Sequence, residues 1–120
     1  LYCNIGPIKS WGYPENYKKY KNFKFYPNLI WNYKKLKPNV VLIDGRFRVA
    51  SFLTKLKDCE LATTIIFDDY LKRSHYHIVE EMVLPIHLHG RQAIFKIESK
   101  DDIDFKLLDE FLEKFMYVMD

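Results

Sequence analysis

The chain has 120 residues, is 48% hydrophobic and 29% charged, and carries a net charge of +3, the balance of one globular domain rather than a disordered tail. No apolar stretch approaches the ~20 residues that cross a bilayer and the first residues lack a signal-peptide core, so membrane insertion and signal-directed secretion are disfavoured. Only Cys3 and Cys59 are present, at no metal-ligand spacing, which predicts a reducing, cytoplasmic setting without disulfides.

Residues 1–38 hold eight Lys against one acid, Glu15, whereas residues 39–120 hold eleven Lys or Arg against fifteen acids. A basic, Tyr-rich segment can touch phosphates and stack bases. Lys, Asn, Ile and Tyr are abundant throughout, however, as AT-rich coding sequence produces, so nucleic-acid binding is disfavoured. Tyr2–Ile5 reads as a short strand ended by Gly6 and Pro7, and the rest of residues 1–38 as an ordered loop too aromatic for disorder. The chain opens on Leu1 rather than Met, which reads as a fragment or a processed product.

Val40–Ile43 is a continuous β-branched and apolar run bounded by Pro38-Asn39 and Asp44-Gly45, the pattern of a central parallel strand buried on both faces. Val49, Phe52, Leu53 and Leu56 then fall on one stripe of a helix over residues 46–57. Thr63–Phe67 is a second strand ending on acids, so strand, helix and strand form a right-handed βαβ unit. Ser74 is placed to cap a short helix whose inward face holds Tyr76, Val79 and Val83. Residues 85–89 and Gln92–Ile97 read as a hairpin turning at Gly90. Asp101, Asp102 and Asp104 precede a final helix with its stripe on Leu108, Phe111, Leu112, Phe115 and Met119.

In open parallel sheets ligands bind at the carboxyl ends of the strands, and Asp44, Asp68 and Asp69 stand there. Three such carboxylates repel unless a cation or several donors offset them, and their hard oxygens suit Mg²⁺; the alternative is that they cap the following helix or turn. Arg46 and Arg48, at the strand-to-helix junction, fit an anionic substrate, or pair with Asp44 or Asp68 and hold the rim together. His75 and His77 follow the Asp-Asp turn and are candidates for general base, or face solvent. His87 and His89 share one side of a strand but lack further metal ligands at suitable spacing.

The segments VVLIDGRFRVASFL and TTIIFDDY resemble the fourth and fifth strands of the class I, Rossmann-like S-adenosylmethionine-dependent methyltransferases, in the small-molecule, cation-dependent branch. The resemblance implies that Asp44, Asp68 and Asp69 bind a divalent metal. It makes residues 85–97 the terminal antiparallel hairpin, and places Asn4 and Gly6, after the third strand, beside the cofactor. The Gly-rich first loop and the ribose-binding acid of that family have no counterpart, since the four glycines form no Gly-x-Gly pattern. The expectation is therefore an α/β fold, a partial Rossmann-like sheet of parallel strands with a terminal antiparallel hairpin, flanked by helices. Residues 1–38 form a basic segment and residues 39–120 the carboxyl-terminal half-domain. It would serve a methyltransferase acting on a small molecule or glycan precursor, completed by a missing amino-terminal half or self-assembled as a homo-oligomer. A non-enzymatic binding or assembly module is the other expectation.

Overall fold

The computed structural model describes residues 2–34 and 36–120. Residues 2–5 form no strand: the Ile5 N–H donates to the Cys3 carbonyl at 3.0 Å, and the Asn22 side-chain amide donates to the Asn4 carbonyl at 2.8 Å. These local partners satisfy backbone groups that a ladder would otherwise use. Ile8 and Pro14 bridge the arms of a small turn containing Ser10–Gly12, and two short helices follow, α1 (Tyr20–Phe23) and α2 (Leu29–Lys34). Such short helices depend on packing rather than propensity. Trp31 of α2 supplies some of it, since its ring lies 4.5 Å from the Lys55 ammonium, whose pKa burial pushes down.

The strands β1 (Val40–Ile43) and β2 (Thr63–Phe67) pair in parallel, with α3 (Arg48–Asp58) between them in sequence. The predicted helix started at Arg46, but Phe47 holds φ 53° and its left-handed backbone starts the helix at Arg48 instead. The predicted stripe is otherwise found, with Val49, Phe52, Leu53 and Leu56 all fully buried. Each such side chain contributes about 1.5–3 kcal/mol relative to exposure.

Ser74–Glu81 winds as a 3₁₀ helix rather than an α-helix. Ser74 is its first residue and does not cap it: Arg73 occupies the N-cap position, without a side-chain cap bond. Tyr76 and Val79 are buried as predicted. The hairpin consists of β3 (His87–His89) and β4 (Gln92–Ile97), turning at Gly90 with φ +59°. Strand β4 also pairs antiparallel with β2, giving the sheet order β1-β2-β4-β3. The last helix, α4 (Phe105–Phe115), is capped by Asp104, whose Oδ1 accepts from the Leu107 N–H at 3.0 Å.

Helices α3 and α4 and the 3₁₀ segment contribute the core that covers one face of the sheet, where Phe52 meets Phe67 and Phe95. The expectation that β1 is buried on both faces fails. Val41 and Ile43 are buried, but Val40 and Leu42 are 56% and 57% exposed, because β1 is the edge of the sheet and no described helix packs on its second face. The amino-terminal segment packs elsewhere: Ile5 and Phe23 join Phe47 and Ala50 in a second cluster against the end of α4.

Candidate functional site

A cleft of about 890 Å³ lies at the carboxyl ends of β1 and β2, with residues 2–13 forming its opposite wall. That volume is ordinary for a small-molecule site. Asp44, Asp68, Asp69, Arg46, Arg48 and Gly6 line it, so six of the sequence-predicted site residues come together. Asn4 stands beside the cleft, with its side-chain oxygen accepting from the Gly6 N–H at 3.2 Å. His75 and His77 do not line it. The His77 Nε2 lies 3.1 Å from the Tyr70 carbonyl, and the His75 ring packs on Tyr76.

The three acids each offer an oxygen within 4.8 Å of the others, and arginines are interleaved among them. Arg48, with its side chain 4% exposed, sits 3.3 Å from both Asp44 and Asp69. It also donates to the Gly45 carbonyl at 3.0 Å and the Asp68 carbonyl at 2.9 Å. Removing partners from such a buried charge costs about 3–5 kcal/mol. Arg91 donates to Asp68 Oδ1 at 3.1 Å and lies 3.4 Å from Asp69, while Arg73 reaches Asp69 at 3.5 Å. Gln92 adds a bond to Asp68 Oδ1 at 2.9 Å. Asp68 Oδ2 is 3.0 Å from Arg91 Nη2, an ion pair outside hydrogen-bond geometry. Burial pushes the Asp68 carboxyl up, but the bonds from Gln92 and Arg91 outweigh it and hold it below the usual carboxylate range.

Arg46 is different. Its guanidinium stacks 4.2 Å from the Tyr13 ring, and its backbone N–H donates to the Tyr26 hydroxyl at 3.3 Å. The same hydroxyl lies 2.9 Å from where a Cβ on Gly45 would stand, so Asp44-Gly45 admits no larger second residue without moving Tyr26. Arg46 Nη1 is out of solvent with no hydrogen-bond partner, which costs about 1–3 kcal/mol. Trp11, at the opposite wall, has φ +63° and is 87% exposed. A left-handed non-glycine residue costs on the order of 1–3 kcal/mol, and the Lys9–Tyr13 backbone bond of 2.8 Å holds the turn that imposes it.

Sequence reasoning passed over Asp120. Its carbonyl accepts from the Phe47 N–H at 2.7 Å and its Oδ1 from the Arg48 N–H at 3.0 Å, which satisfies the first turn of α3. Its Oδ2 has no hydrogen-bond partner and lies 3.8 Å from His75 Nε2. Burial pushes this carboxyl up, against the opposing pull of the Arg48 amide and His75. No local pattern marks Asp120, because the amide its side chain accepts from, that of Arg48, lies 72 residues away. Arg91 and Gln92 were also missed, although their place follows once β4 is set antiparallel to β2, with Ala93 opposite Phe67.

No family model and no curated protein matches the chain. A solved structure does: a methyltransferase-like protein from Silicibacter pomeroyi, 31% identical, with a TM-score of 0.75 over 98% of this chain and 60% of that one. The chain thus spans about 60% of the length of that protein. The mixed four-strand sheet flanked by helices, with its cleft at the parallel strand ends, is a partial Rossmann-like fold of the methyltransferase-like kind.

Proposed function

We propose that this chain forms the acceptor side of an S-adenosylmethionine-dependent methyltransferase for a small molecule. The cleft at the ends of β1 and β2, in a fold shared with a methyltransferase-like protein, carries this reading. The cofactor supplies an electrophilic methyl group, and this chain's residues only partly fit it. Gly6 lines the cleft, but Asn4 spends its side-chain oxygen on the Gly6 N–H, and no paired glycine turn is present. The chain's own work is to bind and orient the acceptor and to take its proton. Neither candidate histidine lines the cleft, so neither is assigned that proton. The test is transfer of labelled methyl from S-adenosylmethionine to small-molecule extracts by the full polypeptide that carries this chain. Labelled low-molecular-weight product is expected; no product from any extract overturns the reading.

Asp44, Asp68 and Asp69 are also the proposed Mg²⁺ ligands. Their clustered oxygens suit the ion, while Arg48, Arg73 and Arg91 already offset the three charges. We favour the arginine-balanced rim, which predicts no rise in melting temperature with millimolar Mg²⁺. A rise that Asp69→Asn abolishes would establish the metal by mass action.

The open second face of the sheet, with Val40 and Leu42 exposed, favours one alternative, a binding or assembly module. Such a module would transfer no methyl group, yet would lose its partner when that face is charged.

A further inference from the structure

We propose that the cleft takes a planar organic acid, its carboxylate held by Arg46 and its ring laid against Trp11. This names the acceptor class for the small-molecule reading above and rests on it. The lining holds three carboxylates and four guanidiniums. Arg48, Arg73 and Arg91 each lie within 3.5 Å of at least one of those acids. Arg46 makes no ion pair with any described residue; its Nη1 is out of solvent, so a ligand in the cleft would meet the guanidinium at its other N–H groups. Arg46 is thus the guanidinium of this lining without a close carboxylate, its longer-range attraction to the buried Asp120 apart, and it is the charge best prepared for an anion. Its Cζ lies 4.2 Å from the centre of the Tyr13 ring, which anchors the guanidinium at the cleft, and a guanidinium meets a carboxylate two-pronged in its own plane.

The aromatic wall selects the rest of the ligand. Trp11 lines the cleft at 87% exposure, held by a strained turn rather than by packing. An indole kept in water beside an unpaired guanidinium offers a planar ring the area that a small inorganic anion cannot use.

The experiment compares benzoate with benzamide, its neutral isostere, by calorimetry and tryptophan fluorescence on the full polypeptide. Benzoate is expected to bind at least about tenfold more tightly. Arg46→Gln should shrink that preference to about twofold or less, with Trp11→Ala, at an exposed position, weakening benzoate several-fold. Circular-dichroism melts verify that both variants fold, and Arg46→Lys, which keeps the charge without the fork, should recover only part of the preference. Equal binding of benzoate and benzamide, or a preference that survives Arg46→Gln, overturns the proposal. Inorganic phosphate competing as well as benzoate overturns its planar half. Methyl transfer to a neutral acceptor with no benzoate preference refutes this inference alone; a benzoate preference without methyl transfer supports it and refutes only the reading beneath it.

Discussion

Asp68 stays ionised at 2% exposure because its oxygens are matched by Arg91 and Gln92 rather than by water. The direction of its shift fixes a pH dependence. An acid held below its ordinary value adds stability that is complete above the unfolded pKa of ~3.9 and is lost as pH falls through the lower folded value. Asp68→Asn removes that contribution. Thermal melts from pH 7 to 2.5 should therefore show a stability gap between the natural chain and the variant that closes below about pH 4. A gap of constant size across that range would mean that the variant acts through packing and not through charge. Asp120 has the opposite sign: its carboxyl is pushed up by burial, so its ionised form costs stability that returns as pH falls through the raised value. It is retained where its Oδ1 accepts the Arg48 N–H that opens α3.

At the scale of elements, what was legible followed the period of the side chains. The runs Val40–Ile43 and Thr63–Phe67, the stripe of α3 and the Gly90 hairpin each have a local signal that packing then obeys. The three acids ahead of α4 marked its start for the same reason, although which of them caps it was not assigned; the structure gives that place to Asp104, three residues from its donor. The start of α3 was not, because nothing in the sequence marks Phe47 as a left-handed residue; its ring is trapped between Phe23 and Tyr26 from the distant segment. Nor was the burial of β1 legible. An apolar run reports that both faces suit burial, whereas whether a layer covers each face is decided by the rest of the fold. The site divides the same way. The acids are readable because they end parallel strands, while Arg91 and Asp120 reach the rim only through antiparallel pairing and chain return. Trp11 and Tyr13 belong to a segment without any period, and only their position across the cleft gives them a role.

The whole molecule has a one-sided sheet. One face is closed by α3, α4 and the 3₁₀ segment, whereas on the other face Leu42, Ile66 and Ile94 form a cross-strand apolar row. Leu42 is 57% exposed, and β1 beside it has no described neighbour on its outer side. Unpaired strand edges beside apolar rows recruit other chains. The 120-residue chain alone is therefore expected to self-associate at high micromolar concentration, seen as a sedimentation coefficient that rises with loading. Leu42→Lys places a charge in the row at a position where a monomer tolerates it within about 0.5 kcal/mol. The variant should sediment as a monomer with nearly unchanged melting temperature. A natural chain that stays monomeric at every concentration would show that the row is no interface. A Leu42→Lys variant that still associates would place the contact elsewhere, with the exposed aromatics Tyr17, Tyr20 and Phe25 of the amino-terminal segment as the next surface to charge.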